Sequence, residues 1–192
     1  MRCFSCSKLS VKVICHTCQT QLLVPTIGTR KVGTLDVISF FKYTTLESLL
    51  HTKHKPEGYR VYKYLANLLF KPFMKEFIEN ADGDVYIVGI DEYVKNGYSH
   101  VSVLTHAMKM PTVIVEHSTL LAYNRVKYSG KTLQYRLSHP RDFKYRGKSN
   151  IDVILVDDII TTGITLQEAY SVLTSQGVNV LFALTLADVE ES

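Results

Sequence analysis

The sequence predicts an α/β protein, a parallel sheet with flanking helices on both faces, joined to a small metal-binding module at its amino terminus. Three observations predict it. Short apolar runs such as Val85–Ile90 (VYIVGI) and Ile151–Val156 (IDVILV) have strand composition and are apolar on both faces. They alternate with segments whose apolar residues recur at helical spacing, as parallel strands require of their crossovers. All four cysteines lie outside this alternation, within the first eighteen residues.

The chain has 192 residues, 46% of them hydrophobic and 21% charged, which fits one folded domain with a small appendage and excludes fibrous and low-complexity classes. No apolar run reaches the roughly 18 residues of a membrane-spanning helix. Met1-Arg2 leads into cysteines where a secretory signal would place an apolar stretch, so a cytoplasmic location is expected. The net charge of +4 is unevenly spread: residues 120–150 hold eight Lys/Arg against one acid, Asp142, giving +7 there and −3 elsewhere.

Taken in order, the elements begin with Cys3-x-x-Cys6 and Cys15-x-x-Cys18. Each two-residue spacer forms a tight turn that aims two sulfurs at one point, and two such pairs make a tetrahedral Zn²⁺ site. Two disulfides or free thiols are the alternatives, and cytosolic disulfides are rare. Four thiolates leave no open coordination position, so the zinc expected here is structural and His16 is read as surface. A segment this short cannot bury a core by itself, and metal binding would supply its folding free energy, about 10–16 kcal/mol in zinc-finger peptides. The expected division is a zinc module over 1–20 and the α/β domain over 21–192.

Gln21–Val24 and Asp36–Tyr43 read as antiparallel strands about a turn over Gly28–Gly33. Thr44-x-x-Glu47 reads as a capping box for a helix running to about Lys55, and Gly58–Asn80 as a helix that Pro72 kinks or splits. Val85–Ile90 is a strand, Tyr98–Met110 a helix, Thr112–Val115 a strand, Ile151–Val156 a strand, Thr165–Gln176 a helix and Val178–Ala187 a strand. In open sheets of this kind ligands bind beyond the strands' carboxyl ends.

One such end is the most informative stretch, Val153–Thr165 (VILVDDIITTGIT). A buried-type strand delivers Asp157 and Asp158 to its carboxyl end, Ile159 and Ile160 follow, and a hydroxyl-rich loop turns at Gly163 into a helix, with Thr165-x-x-Glu168 as its predicted capping box. Helix-terminal amides and threonine hydroxyls form a phosphate site, and the paired carboxylates suit ribose hydroxyls or a phosphate-bound Mg²⁺.

This stretch resembles the 5-phosphoribosyl 1-pyrophosphate (PRPP) motif of type I phosphoribosyltransferases, at every position. The resemblance implies a type I phosphoribosyltransferase-like domain in which Asp157 and Asp158 lie near the ribose hydroxyls and Thr161, Thr162, Gly163, Ile164 and Thr165 hold the 5-phosphate. With its four-cysteine module the chain resembles the ComF family, whose members serve in natural transformation. That resemblance implies PRPP, bound with Mg²⁺, as a ligand, and single-stranded DNA and DNA-uptake machinery as partners. Where family members carry a segment like Arg-Gly-Phe-Asn-Gln, this chain has Asn96-Gly97-Tyr98-Ser99-His100, which keeps the glycine and an aromatic residue but lacks the arginine.

In the basic stretch Tyr123, Tyr128, Tyr135, Phe143 and Tyr145 alternate with cations. Arg125, Lys127, Tyr128, Lys131, Arg136 and Arg141 are candidates either for single-stranded nucleic acid, which combines stacking with backbone charge, or for pyrophosphate under an active-site hood formed by Asn124–Pro140. A solvated loop whose aromatics pack inward is the third reading. Two functional classes follow: a PRPP-binding protein working on single-stranded DNA, or a transferase moving ribose 5-phosphate to a nucleobase. His51 and His54 lack nearby acids or thiols, His106 and His117 are isolated in sequence, and no phosphate-loop or Ser-His-Asp motif occurs. Gly89 closes an apolar strand and would allow close ligand approach.

Overall fold

The computed structural model describes residues 1–53, 55–90, 98–124, 126, 128 and 130–189. The main sheet holds β1 (Gly28–Val32), β2 (Leu35–Lys42), β3 (Val85–Gly89), β4 (Val113–Glu116), β7 (Asp152–Ile160) and β8 (Asn179–Asp188), in the order β1-β2-β8-β7-β3-β4. β1 is antiparallel to β2 at one edge, and every other pairing is parallel. The fold is therefore α/β with a mostly parallel sheet. A separate two-stranded sheet pairs β5 (Leu120–Ala122) with β6 (Phe143–Tyr145).

The helices are α1 (His16–Leu22), α2 (Tyr43–Leu50), α3 (Gly58–Leu65), α4 (Lys71–Ile78), α5 (His100–His106), α6 (Leu133–Ser138) and α7 (Ile164–Ser175). α3 runs into α4 through a π turn, Ala66–Phe70. A proline inside a helix lacks an N–H and crowds the carbonyl four residues back. Here the π turn absorbs the misfit of Pro72, which sits in the first turn of α4, so the chain is neither split nor broken.

Alternation along β7 divides the core. Ile154 and Val156 face the layer built by α2 to α5, whereas Val153 and Leu155 face α7 and the small sheet. Gly89 serves packing: a Cβ there would lie 2.8 Å from the Val101 side chain, so its absence lets α5 lie on β3.

Several expectations are corrected. Residues 21 and 22 belong to α1 and not to a strand, and Gly28–Val32 is itself β1, with the hairpin turn at Gly33-Thr34 where Gly33 has φ +61°. α2 starts at Tyr43, before the proposed Thr44 cap, and its N-cap Lys42 makes no side-chain cap bond. Apart from these corrections, α1 spans residue 20, and Ile14, fully buried, joins Cys3, Cys18 and Leu23 in the main core beside Phe40 and Leu46. The cysteine segment thus shares the domain's apolar core.

Candidate functional site

The strand order places the site. β3 leads through α5 to β4 on one side, whereas β7 leads through α7 to β8 on the other, so the crossovers diverge between β3 and β7. In open sheets such a point, outside the carboxyl ends of the strands, is where ligands bind, and here it is flanked by Ile90 and by Asp157 to Ile160. Ile90 donates its N–H to Val156 O at 2.8 Å, which carries the pairing up to this point.

The two carboxylates leave β7 on opposite faces. Asp157 accepts the Asp158 N–H on Oδ1 at 2.8 Å and is almost buried. Asp158 turns into the helical layer, where one oxygen, Oδ2, receives Lys53 Nζ at 3.2 Å, Tyr62 OH at 3.2 Å and His100 Nε2 at 3.3 Å. Burial raises the Asp158 pKa, but His100, Lys53 and the Tyr62 hydroxyl outweigh it and hold the carboxyl below its ordinary value. Burial, and then Asp158, push Tyr62 well above the ordinary phenol value, so it stays protonated and donates.

Beyond Ile160 the chain turns through Thr161 and Thr162 to Gly163, whose φ of +80° makes it the left-handed N-cap of α7. No side chain caps that end, so the first-turn amides of Ile164 and Thr165 face the loop with the positive end of a twelve-residue helix behind them. Glycine is required twice over, since a Cβ would also lie 2.7 Å from the Val32 side chain. The predicted capping box is not formed. Thr165 lies inside the helix, and Glu168 accepts the N–H groups of Arg141 at 3.0 Å and Asp142 at 2.7 Å.

Two guanidinium groups converge on Thr161. Arg136, from α6, donates to Thr161 Oγ1 at 2.6 Å, and Arg30, from β1, donates to Thr161 O at 2.5 Å while pairing with Asp188 at 3.3 Å. The basic stretch therefore folds over the loop as a hood. β5 and β6 form its stalk, Glu168 fastens its base to α7, and Thr132 caps α6 by accepting the Tyr135 N–H.

The hood's aromatics divide. Tyr128 and Phe143 are buried, the inward packing that one of the three readings of this stretch expected of its aromatics. Tyr128 donates to His139 O at 2.7 Å, with Arg141 over its ring at 4.8 Å and Arg136 at 5.7 Å, so it braces the hood from within. Tyr123 is 45% exposed and is flanked by Lys144 at 4.2 Å and Arg146 at 6.0 Å from its centroid. Tyr135 stacks on His139 at 4.1 Å, and Lys131 lies 5.1 Å from its centroid. Arg125, Lys127, His54, Asn96 and Gly97 lie outside the described residues.

At the amino terminus the Sγ atoms of Cys3, Cys6, Cys15 and Cys18 all lie within 4.8 Å of one another, and none is in a disulfide. Cys6 and Cys15 are 3.7 Å apart, close to the edge of about 3.8 Å that Zn–S bonds near 2.3 Å give a tetrahedron. The Cys15 N–H donates to Cys3 Sγ at 3.2 Å. Burial raises the Cys3 thiol, but backbone N–H groups bring it down to about 6. The Ser5 hydroxyl lowers Cys18, yet burial and the other three thiols push it up to about 12. Such crowding of acidic sulfurs is what a bound dication relieves, and the cluster could hold a metal such as zinc.

Sequence reasoning missed Lys53, Tyr62, Arg30 and the clamp made by Glu168. His100 carried a signal, at the end of the Asn96–His100 segment, whereas Lys53 carried none. His106 and His117, isolated in sequence, stack at 6.4 Å between centroids.

No family model matches the chain, and no curated protein matches it. Among solved structures it is similar to phosphoribosyltransferases. A hypoxanthine phosphoribosyltransferase from Staphylococcus aureus is 19% identical with a TM-score of 0.41, the match covering 66% of this chain and 62% of that one. An adenine phosphoribosyltransferase from Saccharomyces cerevisiae is 12% identical with a TM-score of 0.44, covering 90% and 89%. An orotate phosphoribosyltransferase from Mycobacterium tuberculosis H37Rv is 15% identical with a TM-score of 0.40, covering 90% and 82%. The match thus spans less than two thirds of the hypoxanthine enzyme, and likeness at these identities concerns the backbone alone.

Proposed function

We propose that the chain is a PRPP-binding, phosphoribosyltransferase-like protein of the ComF type, cytoplasmic, acting with single-stranded DNA and DNA-uptake machinery in natural transformation. The observation that carries the PRPP reading is the loop Thr161–Thr165, where an uncapped helix start and the guanidinium groups of Arg30 and Arg136 surround one turn of backbone. A sugar phosphate placed there would have Asp157 beside its ribose. With Oδ2 of Asp158 engaged by Lys53, Tyr62 and His100, Oδ1 is the oxygen that would meet a second ribose hydroxyl. The hard carboxylate oxygens at this edge suit Mg²⁺, which would neutralise pyrophosphate charge. The four thiolates would hold a structural Zn²⁺ that fastens the amino terminus to the core.

Single-stranded DNA is assigned to the outer face of the hood. Tyr123, with Lys144 and Arg146 beside it, offers one base a stacking face next to two backbone contacts, and Lys131 extends the cationic surface. The contact of Arg136 with Thr161 favours a second reading, an active transferase, because it sets a cation from the hood over the loop where pyrophosphate would lie.

Two experiments test this. Affinity for an oligonucleotide should fall steeply with salt, and each cation removed from the hood should reduce the logarithmic slope by about 0.7; an affinity indifferent to salt contradicts the DNA assignment. Release of pyrophosphate from PRPP with any common nucleobase selects the transferase, and no release from a PRPP-saturated protein selects the binding module.

A further inference from the structure

We propose that the groove between α3–α4 and α5 is a second ligand site, separate from the sugar-phosphate loop, and that it takes a nucleoside polyphosphate such as ATP. The groove has a volume of about 740 Å³, within the range of roughly 300–1,000 Å³ usual for small-ligand pockets. Its floor is formed by the half-buried Ser102 and Val103 of α5 and its N-cap Ser99, and cations line its rims: Lys63 and Lys71 on one side, Lys109 with His106 and His117 on the other. No carboxylate lines it among the described residues.

The two ends differ. At one, Tyr59 and Tyr98 meet edge to face at 5.6 Å and 82°, and Tyr59 is 43% exposed, offering a ring for a base with Lys63 at 5.8 Å from its centroid. Burial, and then the Glu57 carboxylate, raise the Tyr98 phenol at this end, where no phosphate would lie. At the other end Lys71, Lys109 and the stacked imidazoles of His106 and His117 gather. From Tyr59 to Lys71 the helix rises about 18 Å, enough for a base, a ribose and a run of phosphates laid along it. Ser99 lines the groove while the next residue, His100, turns to Asp158, so the groove and the Asp158 cluster are served by different residues of this segment.

Calorimetric titration of ATP, inorganic tripolyphosphate and adenosine into the full, zinc-replete chain tests the assignment, with PRPP titrated in parallel. ATP should saturate, more tightly than tripolyphosphate, while adenosine alone gives no measurable binding. Lys63→Glu combined with Lys71→Glu should weaken ATP by at least about tenfold, as expected for lost charge-assisted contacts, and leave PRPP unchanged. Both lysines are exposed, so the variant should keep the native circular dichroism, and Lys109→Glu serves as an independent second variant. No ATP saturation up to about 1 mM overturns the proposal. So does ATP binding that survives the charge reversals and is competed by PRPP, which would place ATP on the Thr161–Thr165 loop. Tripolyphosphate binding as tightly as ATP removes the role of the Tyr59 ring.

Discussion

Adjacent in sequence, Asp157 and Asp158 have different environments, and their substitutions should separate accordingly. Asp157→Asn should weaken PRPP by about tenfold or more, as expected for a lost charged hydrogen bond, with little change in unfolding midpoint. Asp158→Asn leaves Lys53 and His100 facing a neutral group in a nearly dry site, and should cost about 3–5 kcal/mol in denaturant unfolding near neutral pH. Because the folded pKa of Asp158 is depressed, its contribution is complete above the unfolded carboxyl value of about 4 and is lost as pH falls through the lower folded value. The stability gap between wild type and Asp158→Asn should therefore hold from neutral pH to about 5 and close in stronger acid; a gap that widened on acidification would refute this account of the cluster. The carboxylate pair was legible because both acids follow one apolar run. Their division was not, since Lys53 is 105 positions distant in sequence and only the packing of α2 against β2, β8 and α3 brings it near.

Among the elements, the loop before α7 depends most on one residue. Gly163→Ala would combine a left-handed φ with a collision against Val32, and should cost about 2–4 kcal/mol and abolish PRPP binding. A thermal midpoint within a degree or so of wild type would show that the loop yields more easily than this geometry implies. The strand, loop and helix around Gly163 were readable because apolar period, turn residue and helical period follow without interruption. The capping boxes failed because Thr44 and Thr165 lie inside helices that start earlier, and Glu168 serves the hood instead. The cysteine module is held through Ile14 as well as through its thiols, so chelation of metal should loosen the main core too. Near-UV dichroism of the domain and exposure of the four thiols should change together when zinc is stripped; thiols that open with no change in the domain signal would mean the module folds apart from it.

At the scale of the whole molecule, the proposed function rests on two distant parts of the chain meeting over one strand end. The parallel topology, with crossovers diverging between β3 and β7, was foreshadowed by the alternation of apolar runs and helical segments. A hood over Asn124–Pro140 was one reading of the basic stretch, but its stalk of β5 and β6 and its latch to Thr161 were not foreshadowed, because three-residue strands leave too little pattern to read. Arg136→Ala should loosen that latch, weakening PRPP by about tenfold while the fold persists. Calorimetry of magnesium-loaded PRPP with the intact, metal-replete protein, run beside Asp157→Asn, tests the central claim most directly. One saturable site per chain, markedly weakened in the variant, is the result expected; absence of binding to the wild type, or equal binding by both proteins, would contradict the assignment of this strand end to a phosphorylated ribose.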